Sequence, residues 1–199
     1  MRFLNKTNIE KIKGKLIGKG SEKMCYLYKG DNTRCLKISH SNNCKQIKRE
    51  IKYFEYLRRT DKIQATFVPR FYGAFRSLEF VGYEQECFLD RIKGGSYDVA
   101  CPLWQCLQDK NCNKEQIRKE LSSLKDEMIK LNIICNDLHE GNIFRVQNRL
   151  VSKMVIIDGF GPSELIPLCK YFNYFGKRKI NRQWSKFRSR IMRLFSFEI

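Results

Sequence analysis

The stretch that decides the fold is Ile133-Ile-Cys-Asn-Asp-Leu-His-Glu-Gly-Asn-Ile143, and it is followed by Val155-Ile-Ile-Asp-Gly-Phe-Gly161. Asp137 and Asn142 lie five positions apart in a polar loop with apolar neighbours, and Asp158 closes another apolar run sixteen positions after Asn142. The apolar flanks would anchor the loop on a rigid hairpin. The stretch therefore predicts either a β-hairpin with an ordinary polar turn or a site made of two carboxylates and an amide.

The second interpretation has the chemistry of phosphoryl transfer. The carboxylate of Asp137 would accept the proton of an attacking hydroxyl group. The amide of Asn142 and the carboxylate of Asp158 would hold Mg²⁺ against the phosphates of a nucleotide. We therefore expect Asp137 and Asn142 to be catalytic, and Asn142 and Asp158 to be the metal ligands.

Length and composition limit the class of protein. A chain of 199 residues is expected to form one domain or two lobes that share a cleft. It has no apolar run long enough for a transmembrane helix, and residues 1–6 lack the apolar segment of a signal peptide. The nine cysteines are odd in number and show no Cys-x-x-Cys spacing, and there are only two histidines. We expect reduced thiols in a cytoplasmic protein rather than a zinc site.

The formal net charge of +18 predicts an anionic partner, which could be nucleic acid, an anionic membrane surface or a phosphorylated glycan. Cations are dense from Lys170 onward, and no acid follows there until Glu198. The apolar residues of this segment share one helical face: Trp184, Phe187, Ile191 and Leu194. The segment is either a basic amphipathic helix at the inner membrane surface or a helix that packs on the domain with solvated cations. No nucleic-acid-binding signature is present, so that partner ranks last.

The chain opens with the pattern of an antiparallel meander. Residues 15–17, 24–28 and 34–38 predict three strands separated by turn residues. In the first turn, Gly18-x-Gly20-Ser21, glycine would let backbone N–H groups lie over phosphates, although ordinary hairpins also use glycine. The third glycine expected of a kinase loop is absent, and Lys23 stands in its place.

Lys37 lies between Leu36 and Ile38 at the centre of the third strand. Residues 44–59 then predict a helix, with its apolar residues on one face and Glu50 beside them. A strand lysine and a carboxylate on the following helix are the pair that orients the α- and β-phosphates of a nucleotide. The alternatives are that Lys37 points to solvent from a half-exposed strand, or that its partner is Glu55.

Two further strands are predicted at residues 70–75 and 80–88. The second would end in a hinge where backbone groups from Glu86 to Phe88 pair with an adenine edge. The flexible sequence at residues 93–96 predicts the boundary between an N-lobe over 14–92 and a C-lobe over 96–199.

The helix that leads into the Asp137 loop has a clear start and a clear buried face. Asn113 is expected to cap it, with Gln116 completing a capping box. A core-facing stripe then follows at Ile117, Leu121, Leu124, Met128 and Leu131.

Taken in order, these signals resemble the protein-kinase-like superfamily, and the loop around Asp137 resembles small-molecule and sugar kinases more than eukaryotic protein kinases. From about residue 15 to residue 195 the chain is also similar to the bacterial YrbL family of PhoP regulatory network proteins. That similarity runs through residues 23–26, 34–38, 48–53 and 158–168.

The resemblance implies an α+β protein with a compact protein-kinase-like two-lobe fold. Its N-lobe would hold an antiparallel sheet and an αC-type helix. Its C-lobe would be truncated and mainly helical, because the residues after Asp158 are too few for the peptide-binding helices of a protein kinase. The sequence also departs from protein kinases at Cys135 and Asn136, which replace the His and Arg before the catalytic Asp, and at Gly159-Phe160, which is inverted relative to Asp-Phe-Gly.

The function implied is that of a kinase that uses ATP and Mg²⁺. Lys37 would be held by Glu50 and would pair the nucleotide phosphates. The acceptor would be an anionic small molecule or an envelope glycan, such as a lipopolysaccharide core sugar, attracted by the positive charge. The rival interpretation is a non-catalytic kinase-like module that binds a regulator or a membrane surface, and a nucleic-acid-binding protein is a third.

Overall fold

The computed structural model describes residues 1–88, 91–93, 96–147, 151–163 and 168–199. The protein is a mixed α+β chain whose described part contains ten strands and six α-helices. It divides into two compact units. Unit 1 comprises residues 1–63 and 69–91, and unit 2 comprises residues 64–68 and 92–199.

Unit 1 is built on a six-stranded sheet. Its strands are β1 (Arg2–Phe3), β2 (Lys13–Lys19), β3 (Met24–Tyr28), β4 (Asp31–His40), β5 (Phe71–Arg76) and β6 (Phe80–Glu86). Their spatial order is β1-β5-β6-β4-β3-β2, and only the β1–β5 pair is parallel. The predicted meander, β2 to β4, is confirmed.

Both faces of this sheet are covered, which explains why β4 is buried without alternation from Cys35 to Ser39. On one face, Leu36 and Ile38 pack with Ile9 of helix α1 (Lys6–Ile12). On the other face lies helix α2 (Lys45–Arg59), whose Phe54 ring is 5.6 Å from the ring of Tyr83. The predicted helix over 44–59 is confirmed.

The described part of unit 2 combines four helices with a four-stranded sheet, whose first strand begins at the last residue of unit 1. The strands are β7 (Arg91–Lys93), β8 (Ser96–Pro102), β9 (Ile143–Gln147) and β10 (Ser152–Ile156), in the spatial order β10-β9-β8-β7. The helices are α3 (Leu103–Gln108), α4 (Lys114–Leu131), α5 (Leu168–Tyr171) and α6 (Asn173–Phe195).

Helix α4 begins as predicted, because the side chain of Asn113 accepts a hydrogen bond from the N–H of Gln116 at 3.0 Å. The predicted capping box is not completed, because the Gln116 side chain donates to Glu120 instead of reaching back to Asn113. The predicted stripe is buried from Ile117 to Met128, whereas its last member, Leu131, is only half-buried. The helix ends at Asn132, whose left-handed φ of 52° turns the chain into the Asp137 loop.

Helix α6 packs its apolar stripe into unit 2, since Trp184, Phe187 and Ile191 are at most 3% exposed. Leu194 lies on the same helical face, as predicted, but it is 49% exposed near the end of the helix. Within the part of the chain that is described, no helix is long and apolar enough to cross a bilayer.

Three expectations for chain organisation are wrong, incomplete or fall partly on residues that the structure does not describe. The expectation that the chain opens with the meander is wrong, because β1 and α1 precede it and Ile9 of α1 is buried. The described part of unit 2 has more helical than strand residues, as expected, but it also contains four strands that the expectation left out. The predicted break at residues 93–96 includes Gly94 and Gly95, which lie outside the described residues.

Candidate functional site

The Asp137 loop in unit 2 presents an exposed carboxylate that is fixed by its neighbours. The Asn142 side-chain amide donates to the main-chain oxygen of Asp137 at 3.0 Å and to its Oδ2 at 3.2 Å. Nδ1 of His139 accepts from the N–H of Gly141 at 3.0 Å, and Nε2 of the same ring lies 3.7 Å from Asp137 Oδ2. The Asp137 side chain remains 57% exposed. A fixed and solvated carboxylate is suited to receive a proton from a bound molecule.

Two main-chain hydrogen bonds bring Asp158 to this loop. The N–H of Ile157 donates to the oxygen of Asn142 at 2.9 Å, and the N–H of Asn136 donates to the oxygen of Gly159 at 2.7 Å. Asp158 is therefore bracketed by residues that are bonded to the two ends of the loop. The structure thus brings Asp137, Asn142 and Asp158 together within unit 2.

Gly159 makes this close approach possible. Its φ is +81°, and a Cβ at this position would lie 2.7 Å from the Cβ of Asp137. A side chain here would therefore meet a backbone conformation that disfavours it and push directly on the proposed base.

We expect Gly159→Ala to lower the free energy of unfolding by about 3 kcal/mol, from left-handed strain and overpacking together. Gly30→Ala is the matched control, because Gly30 has a φ of +83° and a Cβ there would meet nothing within 4 Å. The control should lose only about 1 kcal/mol. Equal losses in urea denaturation would show that the contact with Asp137 is unimportant.

An ion pair joins the loop to helix α6. Nε and Nη2 of Arg190 donate to the two carboxylate oxygens of Glu140 at 2.6 and 2.7 Å. The main-chain oxygen of Glu140 also accepts from the N–H of Trp104 at 3.4 Å. The hydrogen bonds from Arg190 lower the pKa of the Glu140 carboxyl group. Arg190 therefore positions the loop from fifty residues away.

This pair should make stability depend on acid. The folded pKa of Glu140 is lowered, so its stabilisation is present above the unfolded value of about 4.3 and is lost as pH falls through the folded value. We expect Glu140→Gln to lower the unfolding free energy more at pH 6 than at pH 3.5. Glu115→Gln, at the exposed pair with Arg118, should have little effect at either pH. If Glu140→Gln lowered the unfolding free energy as much at pH 3.5 as at pH 6, the ion pair with Arg190 would not be the source of the stabilisation.

In unit 1, Lys37 and Glu50 lie on the same side of the sheet. Lys37 is the register partner of Tyr83, and the Tyr83 hydroxyl donates to Glu50 Oε2 at 2.9 Å. Both side chains are buried, and Glu50 is fully so. Lys23 Nζ lies 2.6 Å from the same Glu50 oxygen. The carboxylate is thus held by partners that sequence reasoning did not assign.

The predicted glycine turn is a tight connection between β2 and β3. The N–H of Gly20 donates to the oxygen of Lys23 at 2.8 Å, so this group serves the turn itself. Gly18 lies in β2 opposite Cys25, and Ser21 is exposed. A phosphate bound in this region would therefore be contacted by groups other than the N–H of Gly20.

The predicted hinge begins at Glu86, the last residue of β6. The N–H of Glu86 donates to the oxygen of Arg70 at 2.8 Å, and the N–H of Cys87 donates to the oxygen of Thr33 at 2.9 Å. An adenine edge at Glu86 to Phe88 would therefore not use those two N–H groups.

Sequence reasoning missed four residues around these groups: Lys23, Tyr83, Glu140 and Arg190. Lys23 carried one signal, since it replaced an expected glycine. The other three carried no signal in the sequence. Tyr83 contacts Glu50 across 33 positions of the chain, and Arg190 contacts Glu140 across 50 positions.

Comparison with known proteins covers most of the chain. The family model described as PhoP regulatory network protein YrbL matches residues 9–192. The chain is 29% identical over 176 residues to "Uncharacterized protein YrbL" of Escherichia coli (strain K12), a match that covers 86% of this chain and 82% of that protein. The protein of the same name from Shigella flexneri matches with the same identity and coverage.

Proposed function

The chain belongs to the family of PhoP regulatory network protein YrbL, and we propose that it is a phosphotransferase of the protein-kinase-like type that uses ATP and Mg²⁺. One observation carries the proposal. Main-chain hydrogen bonds hold Asp158 against the loop that contains Asp137 and Asn142. A proton acceptor and two oxygen ligands for Mg²⁺ are the side chains that phosphoryl transfer requires.

Asp137 is the proposed base. Its carboxylate is exposed, and the Asn142 amide orients it through Oδ2. In that position it would align an acceptor hydroxyl group and take its proton as the phosphoryl group is transferred.

Asn142 and Asp158 are the proposed Mg²⁺ ligands. The amide nitrogen of Asn142 is turned toward Asp137, so the amide oxygen is directed away from that carboxylate and suits a hard cation. Two protein ligands suffice, because Mg²⁺ in such sites completes its shell with water and phosphate oxygens. Bound there, the ion would neutralise charge on the phosphates.

Lys37 and Glu50 are the proposed phosphate-orienting pair in unit 1. The register of Lys37 with Tyr83 supports this, because Tyr83 is bonded to Glu50. Gly18, Gly20 and Ser21 would lie near the phosphates, and Glu86 and Phe88 near the base of the nucleotide.

The proposed acceptor is the hydroxyl group of an anionic small molecule or envelope glycan, such as a lipopolysaccharide core sugar. The net charge of +18 supports an anionic acceptor, because opposite charge accelerates encounter. The proposed compartment is the cytoplasm, where ATP is available.

The test has two steps. The purified protein is first heated with and without ATP and Mg²⁺, and binding should raise its Tm. It is then incubated with γ-labelled ATP and a panel of phosphorylated sugars, in which label should pass to an acceptor. The absence of any Tm shift at millimolar ATP would rule out the proposal. Binding without transfer to any acceptor would favour a non-catalytic kinase-like module.

A further inference from the structure

Large apolar side chains are exposed where α5 meets α6. We call Leu168, Tyr171, Phe172, Tyr174 and Phe175 the aromatic cluster. Each member is between 44% and 70% exposed. Three of the rings touch, with centroids 6.3 Å apart for Phe172–Phe175 and 5.5 Å apart for Tyr174–Phe175. A contiguous exposed apolar patch of this kind marks an interaction surface.

The aromatic cluster stands on an ordered base. The Asn132 side chain donates to the main-chain oxygens of Cys169 at 3.1 Å and Lys170 at 3.4 Å. Gly176 allows this contact, because a Cβ there would lie 1.6 Å from Asn132 Oδ1. The end of α4 therefore fixes the segment that carries the rings.

Cations continue from the aromatic cluster along the outward face of α6. Phe175, Arg178, Arg182, Lys186 and Arg193 lie at helical spacings of three, four, four and seven residues, so they share one face. All five are exposed, and the opposite face is buried through Trp184, Phe187 and Ile191. We call Arg178, Arg182, Lys186 and Arg193 the basic stripe.

We propose that the aromatic cluster and the basic stripe form a docking surface for an anionic phospholipid bilayer. The aromatic rings would enter the headgroup region, where amphipathic rings are stable, and the basic stripe would lie on anionic headgroups. No acidic residue occurs between residues 165 and 197 of the sequence, so no carboxylate of that segment opposes a negative surface.

Charge and shape favour a bilayer over an acidic protein. The cations extend along several turns of one helix with the rings at one end, which suits a flat surface of uniform charge. The apolar stripe of α6 is already buried in unit 2, so the helix would rest on the surface by its polar face while only the aromatic cluster penetrates. This proposal does not depend on phosphotransferase activity.

The experiment is co-sedimentation of the full chain with phosphatidylcholine vesicles that contain either no phosphatidylglycerol or about 30 mol% of it, at about 0.1 M salt, where charges still interact across about 10 Å. We expect partitioning at least about tenfold stronger on the anionic vesicles.

Arg178→Glu/Arg182→Glu/Lys186→Glu should reduce partitioning on the anionic vesicles at least about tenfold. Lys45→Glu/Lys48→Glu/Lys52→Glu on α2 is the matched control, with equal charge change at exposed positions, and should reduce it no more than about threefold.

The aromatic contribution is tested separately. Phe172→Ser/Phe175→Ser should weaken partitioning at least about fivefold. Phe3→Ser/Leu78→Ser removes two other exposed apolar side chains and should leave it unchanged. A Tyr174→Trp variant should gain emission that shifts to shorter wavelength only with anionic vesicles.

Three results would overturn the proposal. They are equal partitioning on both kinds of vesicle, equal losses in a variant and its control, and unshifted Tyr174→Trp emission in protein that has sedimented with vesicles. The last result would indicate adsorption without ring insertion.

Discussion

Asp137→Asn is expected to lower the rate of phosphoryl transfer about 10³-fold, within the range that positioned general bases contribute. The substitution keeps the size of the side chain and keeps an oxygen that can accept from the Asn142 amide. The loop should therefore retain its shape while the proton acceptor is lost. The measurement is the rate of label transfer from ATP to the acceptor found in the panel, or of ATP hydrolysis if water is the acceptor.

The control for this variant is Asp126→Asn, at an exposed aspartate of α4. It should retain full activity, and both variants should bind ATP with Mg²⁺ as the unchanged protein does. If Asp137→Asn transferred phosphate at the normal rate, Asp137 would not be the base. If Asp137→Asn lost phosphoryl transfer and still supported the cellular role of the protein as well as the unchanged chain does, catalysis would not be that role.

Lys23→Met is expected to lower the free energy of unfolding by about 3 kcal/mol, because it removes one partner of a buried ion pair with Glu50. Lys23 Nζ lies 2.6 Å from Glu50 Oε2, and the two side chains are 8% and 0% exposed. The measurement is urea denaturation followed by circular dichroism.

The matched control is Lys13→Met. Lys13 pairs with Glu10 at 2.8 Å, but both side chains are much more exposed, so the loss should stay below about 1 kcal/mol. Similar losses at both positions would show that burial does not strengthen the contribution of Lys23.

Local patterns were sufficient to predict most of the elements. The meander from β2 to β4 and the helices α2 and α4 follow from turn residues, helical spacing and the cap at Asn113, which are all local signals. The amino-terminal segment was missed because its order comes from distant residues. Arg2 and Phe3 pair with Phe75 and Arg76 of β5. Local sequence patterns do not indicate a strand pairing between residues so far apart in the chain.

The sequence was sufficient to predict the types of residue in the candidate site, but not the distant residues that hold them in place. The loop around Asp137 and the run ending at Asp158 were visible because apolar residues flank them. The salt bridge from Arg190 to Glu140 was not visible, because many exposed cations on α6 have the same local pattern and only the fold selects one. The same holds for Lys23, which has the pattern of a turn residue until α2 brings Glu50 to it.

Sequence periodicity also left open which face of α6 meets other molecules. The stripe of Trp184, Phe187 and Ile191 suits a membrane helix and a packed helix equally well. The burial of this stripe in unit 2 shows that α6 is a packed helix. The exposed rings lie instead around the start of the helix, where no helical period could reveal them.

The central claim is most directly tested by calorimetric titration of ATP with Mg²⁺ into the unchanged protein, Lys37→Met and the control Lys29→Met. Lys37 is buried in β4, whereas Lys29 is exposed in the turn before it. We predict saturable binding to the unchanged protein and to Lys29→Met, and at least about tenfold weaker binding to Lys37→Met, because a charge-assisted contact to phosphate would be lost. Absence of binding to the unchanged protein, or equal affinity for all three, would contradict the claim.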